Sequence, residues 1–134
     1  ISNVKFVSLD ELLSKSDFVS IHCPLTKDTK HLINRDKFNL IKSTSFIINT
    51  ARGAIIDEKD LIEALQNGTI AGAALDVQEK GPFDIDNPLF SMKNVILTPH
   101  IGCKCIEARQ RLVDLLGNNI EAFINKSPIN LVNS

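Results

Sequence analysis

Ser45-Phe46-Ile47-Ile48-Asn49-Thr50-Ala51-Arg52 and Val95-Ile96-Leu97-Thr98-Pro99-His100 are the stretches that decide the fold. Each is a short apolar run with the length of a buried strand, and each ends in polar residues. Between them, Asp57 precedes Leu61, Ile62 and Leu65 at helical spacing, and Gly68 after Asn67 supplies a left-handed stop. Residues 71–77 form another apolar run, rich in small side chains. Strand, helix and strand in alternation imply right-handed crossovers and a parallel sheet with helices on both faces.

Working outward, residues 4–7 read as a short strand, followed by a helix that Ser8 or Asp10 caps and that carries Leu12 and Leu13. Residues 17–23 are an apolar run stopped by Pro24, and residues 35–42 read as a helix. Gly81, Pro82, Asp84, Asp86, Asn87 and Pro88 mark an irregular loop. Across residues 105–124, Ile106, Val113, Leu116, Ile120 and Phe123 recur on one face of a helix on the order of 30 Å long, which Pro128 ends. The expected class is α/β: part of a Rossmann-like, doubly wound parallel sheet with a long C-terminal helix. Residues 1–104 would be sheet domain, and residues 105–134 the helix and its tail.

The 134 residues are 43% hydrophobic with a net charge of −1, the balance of one soluble globular domain. No basic stripe points to nucleic acid, no apolar stretch is long enough to span a bilayer, and no secretory signal is recognisable, so a cytoplasmic protein is expected. Of the three cysteines, Cys103 and Cys105 could join His100 around a metal, but no fourth ligand is evident and the spacing fits no common zinc pattern. No metal is expected. The chain begins at Ile1 and its one methionine is Met92, so it reads as a piece of a longer or processed chain.

The carboxyl ends of parallel strands form the edge where α/β proteins bind ligands, which singles out Arg52 and His100. A forked, permanently charged guanidinium grips a carboxylate, and an imidazole exchanges a proton near neutral pH. Together they suit a small carboxylate with a reactive carbon beside it. The blander alternatives are a surface ion-pair partner for Arg52, a sheet-edge cap for Asp76 and an ordinary buried thiol for Cys23. His22 and His31 read as structural or surface residues.

Asn49-Thr50-Ala51-Arg52-Gly53, Ala73-Ala74-Leu75-Asp76-Val77 and Thr98-Pro99-His100-Ile101-Gly102 resemble the D-2-hydroxyacid dehydrogenases in order and spacing, as does His22-Cys23-Pro24-Leu25-Thr26. Asn87-Pro88-Leu89 and Glu107-Ala108-Arg109-Gln110-Arg111-Leu112 resemble the glycerate dehydrogenase or hydroxypyruvate reductase branch. The resemblance implies hydride transfer between a nicotinamide cofactor and a 2-oxo or 2-hydroxy acid, with glycerate and hydroxypyruvate favoured. NAD is the implied cofactor, with NADP left open, and a homodimer formed through the cofactor domain is the implied assembly. By the same resemblance Arg52 binds the substrate carboxylate and His100 exchanges the proton. Asp76 bonds the nicotinamide carboxamide, Thr50 and Ala51 flank the ring, Cys23 and Pro24 lie along the nucleotide, and Gly102 with Cys103 lets backbone approach the nicotinamide.

Two departures stand out. No G-x-G-x-x-G turn occurs in these residues, nor the strand ending in a ribose-binding acid, so the chain reads as the C-terminal part of such an enzyme, inactive by itself. Loss of those strands would leave the edge near residues 17–23 unpaired, favouring lower stability or self-association. The second departure is Gly81, at the position where the family pairs a glutamate with the histidine. Glu79 is a doubtful substitute, because two residues in an extended chain displace a side chain by roughly 7 Å. Gly81 also supports an alternative from another class, a dinucleotide-sensing or scaffolding protein with weakened chemistry on the same fold.

Overall fold

The computed structural model describes residues 4–80 and 86–132. The chain divides into two compact units, Ile1–His100 and Ile101–Ser134.

In the first unit, helix α1 (Leu9–Lys15) starts where the extended Ser8 accepts the Glu11 N–H on its hydroxyl at 3.2 Å, so of the two expected caps Ser8 acts. Acidic Asp10 and Glu11 in its first turn and Lys15 in its last complement the helix dipole. Strand β1 (Phe18–Ile21) follows, then the one-turn helix α2 (Arg35–Phe38), strand β2 (Phe46–Asn49), helix α3 (Glu58–Gln66), strand β3 (Gly72–Leu75) and strand β4 (Val95–Leu97).

All four strands are parallel in the order β1-β2-β3-β4. Ile21, Asn49, Leu75 and Leu97 stand in one row across the sheet, one strand after another. Successive strands that always add on the same side, joined by crossovers of one hand, place their connecting helices on one face. The burial agrees: Leu13 of α1, Phe38 of α2 and Leu61 and Leu65 of α3 share one buried cluster with Val19, Ile21, Ile47, Ala73 and Leu75. Each large aliphatic or aromatic side chain in it stabilises the fold by about 1.5–3 kcal/mol, and truncating the fully buried Ile47 to alanine would cost about 2–5 kcal/mol.

Local chemistry sets the element ends. Asp57 caps α3 by accepting the Asp60 N–H at 3.2 Å, and Gly68, at φ 68°, turns the chain so that the Thr69 N–H reaches Ala64 C=O at 2.8 Å. Gly72 opens β3 because a Cβ there would stand 2.5 Å from the Asn94 carbonyl oxygen and 2.9 Å from the Phe46 ring.

In the first unit the helices lie on one face of the sheet, where both were expected, because each strand adds on the same side of the last; further expectations change. Residues 4–7 form no strand: they have no ladder partner, and Phe6 is 96% exposed. The helix expected at residues 35–42 is one turn long, because after Phe38 the N–H groups of Leu40 and Ile41 reach back only three residues, to Lys37 and Phe38. In the expected loop, Gly81, Pro82 and Asp84 lie outside the described residues, whereas Asn87 accepts the Leu89 N–H and opens a 3₁₀ turn, Pro88–Ser91.

The second unit holds helix α4 (Ile106–Ile124), about 28 Å long, with no buried residue. It stops before Pro128. Lys126 takes a left-handed φ of 56°, and Ser127 N–H bonds Ala122 C=O at 2.9 Å, which closes the helix end. Among the described residues no helix is long and apolar enough to cross a membrane.

Candidate active site

The row Ile21–Asn49–Leu75–Leu97 fixes what emerges at the carboxyl edge of the sheet. Cys23 and Ala51 lie two residues beyond it, Arg52 and His100 three, and Asp76 and Thr98 one. Strands are spaced about 4.8 Å apart, so Arg52 and His100 leave the same edge from strand ends roughly 10 Å apart, with Asp76 between them.

Asn49 builds the turn that carries Arg52. Only 1% exposed, it accepts the Ala51 N–H at 3.0 Å and donates to Arg52 C=O at 2.9 Å, so both ends of its amide are engaged. Arg52 then sits exposed, with Nη1 donating to Ala51 C=O at 2.7 Å. A cavity of about 450 Å³, lined by His22, Cys23, Pro24, Leu25, Ala51 and Arg52, opens beside it. The structure therefore brings Cys23, Pro24, Ala51 and Arg52 together around one space. Thr50 is exposed on the same turn.

Asp76 is 6% exposed and continues the ladder through its N–H to Asn49 C=O at 2.9 Å. Its carboxylate accepts the Thr98 hydroxyl at 2.5 Å. Thr98 N–H bonds Leu75 C=O at 3.0 Å, and His100 N–H turns back to Thr98 C=O at 3.0 Å around Pro99. This tight turn leaves His100 exposed and left-handed, at φ 52°, a conformation uncommon outside glycine. Gly102 and Cys103 belong to the second unit, in the turn where Lys104 N–H bonds Ile101 C=O at 2.9 Å.

Glu79 has other partners. One carboxylate oxygen lies 2.7 Å from His31 Nε2, and the other accepts the Glu58 N–H at 3.3 Å. Burial by itself would raise its pKa. The hydrogen bonds from His31 and the Glu58 amide, with the charges of His31 and Lys30, outweigh it and hold the carboxyl below the usual glutamate range. Gly81 lies outside the described residues.

Sequence reasoning passed over Asn49, Thr98, His22 and Leu25. All four belong to the quoted motifs; Thr98 reaches Asp76 and Leu25 faces Ala51 and Arg52 only through the register of neighbouring strands, whereas the contacts of Asn49 and His22 are local. The bond between His31 and Glu79 spans 48 residues and carried no local signal.

Residues 1–102 match the family described as D-isomer specific 2-hydroxyacid dehydrogenase, NAD binding domain. The chain belongs to this family. It is 50% identical over 134 residues to a glyoxylate reductase of Thermofilum pendens, covering 99% of this chain and 40% of that protein. A hydroxypyruvate reductase of Blautia hydrogenotrophica is 45% identical over 131 residues, 98% of this chain and 41% of its own. The crystal structure of an Aquifex aeolicus D-lactate dehydrogenase with NAD and lactic acid superposes with a TM-score of 0.82 at 34% identity, over 90% of this chain and 41% of that one. The chain thus spans about two fifths of the length of the curated relatives it matches.

The cavity lining is chemically compatible with a bound dinucleotide. The cavity has the size of a small-ligand site, with apolar walls at Pro24, Leu25 and Ala51, and the buried Asp76 lies at the same sheet edge.

Proposed function

We propose that these residues are the carboxyl-terminal part of the cofactor domain of a 2-hydroxyacid dehydrogenase that reduces a small 2-oxo acid to the D-2-hydroxy acid, and runs in reverse. The observation that carries this reading is the shared offset of Arg52 and His100 beyond one row of the sheet, on either side of the buried Asp76. Arg52 binds the substrate carboxylate through paired N–H donors and so orients the adjoining carbonyl. When bound, the nicotinamide supplies the hydride to the carbonyl carbon, or accepts it in oxidation. His100 delivers its proton to the carbonyl oxygen during reduction and takes it back from the hydroxyl in the reverse direction.

Asp76 accepts from the carboxamide of the nicotinamide. Thr50 and Ala51 flank the ring, and Cys23 and Pro24 lie along the nucleotide. Hydroxypyruvate is our first choice of substrate, supported by the Asn87-Pro88-Leu89 resemblance and by the name of the Blautia relative. Glyoxylate, named for the Thermofilum relative, is the comparator. Residues 105–134 run back toward a substrate domain, and a cytoplasmic homodimer is the proposed assembly.

The test uses protein expressed from the whole reading frame that contains these residues, following NADH oxidation with hydroxypyruvate and glyoxylate. Arg52→Met is expected to raise KM for the acid, and His100→Gln to lower kcat by roughly 10²–10⁴-fold. Tight NADH binding with no oxidation of either acid would defeat the reading and favour a dinucleotide-sensing role. Gly81→Glu should speed reduction if the missing carboxylate limits the rate.

A further inference from the structure

We propose, resting on the reading above, that His31 and Glu79 are a pair of positioning residues that set the turn bearing Arg52. Gly53, next to Arg52, has no room for a side chain: a Cβ would stand 2.0 Å from the Gln78 carbonyl carbon and oxygen and 2.4 Å from Glu79 N. The backbone after Arg52 therefore rests directly on the backbone that leads into Glu79. Whatever fixes Glu79 fixes the surface against which the Arg52 turn is seated.

The fixing is done by His31. Its N–H donates to Ala54 C=O at 2.9 Å, and the segment it leads is stitched to the chain just past Arg52 by Ile33 N–H to Ile55 C=O at 3.1 Å and Asp57 N–H to Ile33 C=O at 2.9 Å. His31 holds a left-handed φ of 51°. From there its ring stands between two carboxylates, with Nε2 2.7 Å from Glu79 and Nδ1 3.4 Å from Asp57. Glu58 completes the arrangement: it accepts the Glu79 N–H at 3.1 Å on one oxygen and the Asn87 side-chain amide at 2.8 Å on the other. Lys30 adds a cation near Glu79.

A surface salt bridge would contribute little, but this pair is part-buried and joined to backbone at both ends. Its consequence falls on one neighbour. Small misplacements of a carboxylate-gripping guanidinium are costly in rate or affinity, so loosening this seat should be felt by the acid substrate and not by the cofactor.

The whole-frame protein is compared with His31→Ala, which removes the ring, and His31→Gln, which keeps a donor for Glu79. In His31→Ala, KM for hydroxypyruvate is expected to rise roughly tenfold, with kcat and KM for NADH within about twofold of the parent, and His31→Gln should recover most of the loss. A change of kcat and both KM values together, or no change at all, would overturn the proposal. A second measurement needs neither substrate nor activity. Amide exchange at Ile55 and Ile56, which donate to Arg52 C=O at 3.3 Å and Gly53 C=O at 3.0 Å, should quicken by roughly tenfold or more in His31→Ala and not in His31→Gln. If the parent turns over no 2-oxo acid, the dehydrogenase reading fails, while the pair stands or falls on this exchange alone.

Discussion

The Thr98 hydroxyl donates to the Asp76 carboxylate at 2.5 Å, tying the end of β4 to the end of β3 one residue beyond the row that crosses the sheet. Two neighbouring strands thus share a buried charge and a tight turn: the bond orients Asp76, and the next two residues of the same chain place His100.

Removing that hydroxyl strips a charge-assisted hydrogen bond from a nearly buried carboxylate. Thr98→Val is expected to lower stability by about 1.5–3 kcal/mol, and Thr98→Ser by less than about 1 kcal/mol. Urea unfolding of the two variants measures the difference. Equal midpoints would show that the hydroxyl does not hold Asp76.

Two glycines answer to different constraints. At Gly68 a Cβ meets nothing within 4 Å, so Gly68→Ala pays only for the left-handed backbone, about 1 kcal/mol. At Gly53 the added atom would collide with the Gln78 backbone, and Gly53→Ala is expected to cost upward of about 3 kcal/mol. Thermal unfolding of both variants tests the contrast, and a milder effect at Gly53 would contradict the backbone contact.

The lowered Glu79 pKa has a defined effect on stability. With the folded value below the unfolded one, the stabilisation is complete above the ordinary glutamate range and disappears as pH falls through the lowered folded value. Glu11, lowered first by its hydrogen bond from Lys15 and then by that from Lys5, works in the same direction. Stability should therefore fall on acidification below about pH 4.3, and Glu79→Gln should flatten part of that fall. Unfolding free energies measured between about pH 3 and 7 decide it; an unchanged slope in the variant would mean that His31 does not stabilise the Glu79 carboxylate.

On the sheet face opposite the shared core, the Phe18 and Phe46 rings stack with centroids 5.7 Å apart, and the two residues are 67% and 41% exposed. Phe18 also lies on β1, an edge strand among the described residues. Exposed apolar surface beside a strand edge favours association. The 134-residue chain is expected to sediment as larger species with rising concentration, and Phe18→Lys to reduce this while changing stability by less than about 0.5 kcal/mol. A monomer at all concentrations would refute the expectation.

The amino-acid sequence by itself determined the order of strands and helices from residue 9 onward, because apolar period, a cap at Ser8 or Asp10, the Asp57 cap and the Gly68 stop act among residues a few positions apart. It also singled out Arg52 and His100, since strand ends are readable from where an apolar run stops, and Asp76 through the family resemblance of its motif. Only the tertiary structure decided that residues 4–7 stay out of the sheet, that Thr98 serves Asp76, that Gly53 is glycine because Gln78 presses on it, and that Glu79 answers to His31. Those outcomes depend on which segments the crossovers bring side by side, and pairing over 48 residues of chain leaves no periodic trace in the sequence.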